Sequence, residues 1–303
     1  MCKLYRYILG AFLFFYSSIN AQIFIPRNVD PETVDSIRNA NKNPNWQNNK
    51  YIYNSTILSP FSFKDLATSP LLYSGLAIGT NGGSVLENEK IDQNILFNLA
   101  LGLASNSFNQ TNTMATFTKF ETYYHLLFNL PQLSNTKWNT KLGFAASITF
   151  TGRLNAAFGN NSLGLDNMNN IFLSAKTERD ISRKQAVIKD FKLFKLKYLP
   201  TNHKIGFQTN IGLLNTNYRP GFAYVYSGEI NGNNTSPISY FFTDYKFSIN
   251  GFRMVNKLYF TKYLKNGNAF RYFYDWEYIN APGRYESYQL IMHNIGFALM
   301  FNK

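Results

Sequence analysis

Strict two-residue alternation over unusually long segments, an apolar face rich in aromatics, and a charged fraction of only 16% beside 17% aromatics predict an all-β chain. More closely, they predict an antiparallel transmembrane β-barrel of about ten strands, with twelve as the alternative. Soluble proteins average about 25% charged residues, so the deficit points to a surface that does not all meet water. The formal charge of +13 suggests a polyanionic partner, but so low a charged fraction argues against nucleic acid. Alternation also occurs in soluble sandwiches. Length decides between them. The alternating segments run well past the five or six residues usual in soluble strands, and a closed barrel satisfies every backbone group in lipid.

Residues 1–21 read as a signal peptide. Lys3 and Arg6 precede the apolar run 7–16, and Ser17 to Ala21 lead to a cut before Gln22. That run is too short for a spanning helix, which needs about 20 apolar residues. Cys2, the only cysteine, leaves with this segment, so the mature chain has no thiol chemistry. Loss of Lys3 and Arg6 lowers the charge to +11 (13 − 2). Residues 22–49 form a polar, Asn-rich periplasmic leader with Pro26, Pro31 and Pro44, and residues 50–303 form the barrel.

Strands are expected at 51–58, 71–80, 92–104, 114–130, 136–153, 190–199, 203–215, 252–264, 268–280 and 287–302. The segment 138–150 shows the pattern best. Trp138, Leu142, Phe144, Ile148 and Phe150 share one face, and Asn139, Lys141, Gly143, Ser147 and Thr149 the other. Likewise Phe270, Tyr272, Tyr274, Trp276 and Tyr278 oppose Arg271, Phe273, Asp275 and Glu277. Turn chemistry at Lys265-Asn266-Gly267, Pro200-Thr201-Asn202 and Pro131 suggests short periplasmic turns. Residues 105–113, 154–189 and 216–245 are left as outer loops, with every short turn on one side. A hairpin hidden in 154–189 would make the count twelve.

The last strand holds Asn294, Gly296, Leu299 and Phe301 in the order polar, Gly, apolar, aromatic. This resembles the C-terminal β-signal read by the outer-membrane assembly machinery, although the chain continues through Asn302-Lys303. With the Asn/Lys/Tyr/Phe-rich composition and a leader ending Asn-Ala-Gln, the chain resembles outer-membrane barrels of the Bacteroidota. The resemblance implies residence in the outer membrane, with membrane lipid, lipopolysaccharide and the assembly machinery as partners. Barrels of similar length serve in surface secretion and gliding machinery of that phylum. Their Asn-Pro-Ala-Tyr-type N-terminal motif is absent here.

Inward-facing cations by alternation are Lys119, Lys141, Lys195, Lys197, Lys204, Arg253, Lys257 and Arg271, against Glu121, Asp275 and Glu277. They suggest a basic lumen that either pairs internally or passes anions. Of His125, His203 and His293 only His125 points inward, near Glu121 and Lys119. Three isolated histidines suggest no metal site, and no catalytic or cofactor-binding motif stands out. Tyr218, Phe222, Tyr224, Tyr226, Tyr240, Phe241 and Phe242 crowd one outer loop as a recognition surface or an aromatic girdle. The expected role is non-enzymatic, a structural or interaction subunit of an envelope assembly docking partners through long outer loops. A narrow anion-favouring pore and an outer-membrane lipid-modifying enzyme are the alternatives.

Overall fold

The computed structural model describes residues 48–303 except 109–110, 136, 158–162, 192–193, 199, 221–244 and 283–286. Side chains are described there except at 48–49, 107–112, 187–199, 220 and 245–246. The signal peptide and nearly all of the leader lie outside the described residues, as do Phe222 to Phe242 of the aromatic cluster.

Thirteen strands are present among the described residues. Those of the first half are β1 (Asn48–Asp65), β2 (Ser69–Asn88), β3 (Ile91–Phe108), β4 (Thr111–Asn129), β5 (Trp138–Leu154) and β6 (Leu163–Asp180). Then come β7 (Val187–Phe191), β8 (Phe194–Tyr198), β9 (Asn202–Pro220), β10 (Tyr245–Ile249), β11 (Phe252–Tyr263), β12 (Ala269–Pro282) and β13 (Ser287–Asn302). Chain neighbours pair antiparallel from β1 to β6 and from β11 to β13. Two further pairings close the ring: β13 lies on β1, and β6 lies on β9, which in turn pairs with β11. The wall is therefore a closed antiparallel barrel of ten strands. It leaves no open edge.

β10 is not an eleventh wall strand. Ile249 pairs with Thr216 and Met254 with Ile211, one unbroken register along β9. β10 continues β11 past a break at Asn250-Gly251. Gly251 has φ +104°, a conformation that side-chain-bearing residues rarely adopt. Asn217 Nδ2 and Asn215 Nδ2 donate to the carbonyls of Asn250 and Gly251 at 2.7 and 3.1 Å, holding the break against β9.

Ten is the expected count, but one member differs. The segment 154–189 is not an outer loop, since β6 crosses within it. The segment 190–199 is not a wall strand. It supplies β8, which pairs only with β7 in a separate two-stranded sheet. Each of these strands has five residues. A tilted spanning strand needs about 9–11 residues. β6 escapes the pattern because Met168 and Phe172 point inward while Asn167 and Asn169 point out. β7 and β8 alternate well but are too short.

Asn48 and Lys303, the two ends of the described barrel, lie at one end, called here the terminal end. The strand ends flanking 89–90, 130–137, 181–201 and 264–268 lie there, and those flanking 66–68, 109–110, 155–162, 221–244 and 283–286 lie at the other. Short connections thus occur at both ends, contrary to expectation, and the long 181–201 connection stands beside the termini.

The outer surface is a band of exposed apolar side chains. Ile78 is 65% exposed, Leu101 and Leu103 55%, and Phe144 58%. An apolar patch that encircles a molecule needs lipid around it. One irregularity re-aims a whole strand end. Ile171 pairs with Leu214, but Phe172 pairs with Gly212, so Leu213 is an extra residue, a β-bulge. Leu213 and Leu214 both face outward, at 58% and 43% exposure. Beyond them the alternation is inverted, and Asn215, Asn217 and Arg219 are buried inside.

Candidate functional site: a packed interior and a basic rim

Much of the barrel interior is packed with side chains. Phe117, Leu127, Phe172, Thr149, Ser174 and Thr261 point inward with no exposed surface. Two apolar clusters lie inside. Toward the far end Phe61, Phe63, Tyr73 and Phe117 stack with ring centroids 4.5–6.2 Å apart. Toward the terminal end Tyr51, Tyr53, Tyr259, Phe273 and Met300 pack together.

Charges fill the remaining space in three layers. At the far end Arg153 and Arg219 face Asp65 and Asp166. Arg153 Nη2 lies 2.6 Å from Asp65 and 2.5 Å from Asp166, and Arg219 Nε lies 2.7 Å from Asp166. The Tyr288 ring lies under both guanidinium groups, at 4.2 and 5.4 Å. In the middle, Arg253 Nη2 lies 2.5 Å from Glu277 and also pairs with Glu121. Arg253 Nη1 donates to Ser147, Thr149 and Asn170 at 2.8–2.9 Å. Lys119 joins the same two carboxylates at 2.5 and 3.1 Å. Near the terminal end Lys176 touches Asp92, Glu87 and Glu178 at 2.7–3.2 Å. There Lys141 pairs with Asp92 at 2.5 Å and Arg271 with Glu87 at 2.7 Å.

Together with Lys257 and Asp275, 3.5 Å apart, the inward charges balance. Lys119, Lys141, Arg153, Lys176, Arg219, Arg253, Lys257 and Arg271 stand against Asp65, Glu87, Asp92, Glu121, Asp166, Glu178, Asp275 and Glu277. The interior is thus neutral, not basic. A buried charge is costly unless paired, and all but Lys257 of these cations are nearly inaccessible to water.

Five of the eight expected lumen cations, Lys119, Lys141, Arg253, Lys257 and Arg271, sit in these ion pairs. Lys204 lies at the terminal rim with its ammonium 5.7 Å from the centre of the Tyr263 ring. Lys195 and Lys197 are on β8, off the barrel wall. Sequence reasoning missed Arg153, Lys176 and Arg219. Lys176 was hidden in a segment read as loop, and Arg219 reaches the interior only through the bulge. His125 is inward, but Glu121 is committed to Lys119, Arg253 and Thr149. The His125 ring instead meets Gln208 Nε2 at 3.3 Å and the Tyr123 ring at 4.3 Å. His293 lies on the outer face against the Tyr274 hydroxyl at 2.7 Å. His203 packs on Phe260 at the terminal end.

Asn294 points inward and accepts from Ser59 Oγ at 2.6 Å, whereas Phe301 is outward and 46% exposed. Gly296 is covered by the Phe273 ring, which would lie 2.1 Å from a Cβ placed there.

The charge excess lies outside the interior. Strand ends and turns at the terminal end carry Lys50, Lys90, Lys137, Arg179, Lys204, Lys262, Lys265 and Lys303. The 181–201 connection adds, by sequence, Arg183, Lys184, Lys189, Lys192, Lys195 and Lys197. Against these fourteen stand Glu89, Asp180 and Asp190, a local excess of +11. The far end holds Lys64 and Lys246, and its connecting segments add, by sequence, Arg284 against Glu229, Asp244 and Glu286.

No family model matches the chain, and no curated protein matches it. Among solved structures the chain is similar to the translocator domain of autotransporter NalP from Neisseria meningitidis. That alignment has 8% identity and a TM-score of 0.33, covering 88% of this chain and 93% of that one. It is also similar to a deltaS2 mutant of the TodX monoaromatic hydrocarbon channel, with 6% identity and a TM-score of 0.25 over 84% and 91%. A third is the outer membrane protein OprD from Pseudomonas aeruginosa, with 7% identity and a TM-score of 0.17 over 86% and 96%.

Proposed function

We propose that the protein is a non-enzymatic outer-membrane barrel, a structural or interaction subunit of an envelope assembly that engages partners at its ends. One observation carries this reading: the inward side chains are mostly buried and their charges cancel. A barrel whose inward charges are spent on one another acts through its surfaces. The two long connections, 181–201 at the terminal end and 221–244 at the other, offer room for docking. The pore reading drew on uncompensated inward cations, and five of the eight expected ones are ion-paired within the wall. Cross-linking and purification from native membranes test the proposal. The full chain should bring down a stoichiometric partner, and a variant lacking 187–198 or 221–244 should lose it. A partnerless protein that conducts ions steadily in planar bilayers overturns the reading in favour of a pore.

A further inference from the structure

The barrel interior is neutral, and the far end is neutral by sequence. Residues 22–47 are neutral as well, Arg27, Arg38 and Lys42 meeting Asp30, Glu32 and Asp35. The whole +11 of the chain from residue 22 onward therefore belongs to the terminal end. Part of it forms a ring. Lys50, Arg179 and Lys262 lie on the outward faces of β1, β6 and β11, Lys303 follows the end of β13, and Lys90 and Lys137 continue the ring in the turns between β2 and β5. These outward cations follow the apolar band directly. Ile52 and Phe301, 45% and 46% exposed, stand two residues deeper on the same faces as Lys50 and Lys303. The Arg179 guanidinium lies 5.4 Å from the centre of the Trp138 ring, which is itself 38% exposed on the outer face. A cation beside an aromatic ring at the edge of an apolar band sits at headgroup depth.

We infer that the terminal rim is a collar for anionic phospholipid headgroups, whose phosphates pair with this ring and set the depth and orientation of the barrel. A protein partner covers one sector, whereas these cations encircle the wall, as a lipid leaflet does. With the termini on the periplasmic side, as is usual for such barrels, that leaflet is the phospholipid one. The inference rests on the membrane reading of the fold and not on the docking role.

The full chain is placed in nanodiscs of phosphatidylcholine and phosphatidylglycerol, and retained lipids are counted by native mass spectrometry. Phosphatidylglycerol should be retained above its share in the mixture. Lys50→Gln, Arg179→Gln, Lys262→Gln and Lys303→Gln combined should cut that enrichment about tenfold or more, because each cation near an anionic surface contributes about a fivefold preference. Lys64→Gln, on the outward face at the far end, should leave it unchanged. Heat-modifiable migration shows that each variant is folded. Retention in proportion to the mixture overturns the inference, as does undiminished enrichment in the quadruple variant. Loss of enrichment only on deleting 187–198 also overturns the collar, and so does preferential retention of lipid A from an added supply.

Discussion

Arg219 Nη2 lies 3.0 Å from Asp65 Oδ1, joining β9 to β1 across the barrel interior, 154 residues apart in sequence. The pair ties together walls that share no backbone ladder. Removing one member of a buried ion pair leaves its partner uncompensated, at a cost of about 3–5 kcal/mol. Arg219→Met leaves Arg153 alone against Asp65 and Asp166 and should lower the unfolding free energy, read from urea titration in detergent, by about that margin, while Arg219→Met with Asp65→Asn rebalances the cluster and should recover part of the loss. A single variant as stable as the parent would show that the contact is not made.

The bulge at Leu213 makes a sharper prediction. Leu213→Ala trims an outward side chain and should change stability by less than about 1 kcal/mol. Deleting Leu213 leaves Leu214 outward between inward Gly212 and Asn215, so plain alternation is restored with Arg219 still inside, and only the register of β10 on β9 must shift by one residue. The deletion variant should still form a heat-modifiable band on electrophoresis, and loss of that band would show that the bulge itself is needed for the barrel to close.

Gly296 has two roles to separate, assembly signal and packing. Gly296→Val should destabilise the folded barrel by about 1–3 kcal/mol through overlap with Phe273. Adding Phe273→Ala should relieve that overlap in refolding experiments on the purified chain. Assembly in cells should not recover if the glycine is also read as part of the β-signal. Refolding unaffected by Gly296→Val would remove the packing role.

Asn81 is buried at 7% exposure, and its Oδ1 accepts no hydrogen bond within the protein. A buried acceptor without a partner costs about 1–3 kcal/mol. Asn81→Leu, with the same heavy-atom count and branching, should raise the urea midpoint; a clear decrease would mean that the amide is needed or that the larger methyl groups do not fit.

Much of the wall was legible in the amino-acid order. Along β5 and β12 the expected inward and outward faces are those observed. Pleat geometry is local, so a strand with lipid on one side must alternate wherever it sits. The same rule misled at 190–199, where alternation is present but five residues cannot cross a membrane, and at β6, where inward Phe172 and Met168 and outward Asn167 and Asn169 blur the pattern. The strand total survived because the two errors offset each other.

What the sequence determined by itself is the all-β class, the lipid-facing composition and the size of the charge excess. The tertiary structure alone decided which strands close the ring, that Leu213 inverts one strand end, and that the inward cations meet an equal set of carboxylates. The physical reason is range. Alternation follows from adjacent residues, whereas Arg219 finds Asp65, and Arg271 finds Glu87 184 residues away, only through the register of a closed wall. That closure also turned an expected basic lumen into a neutral core and left the excess charge on one rim.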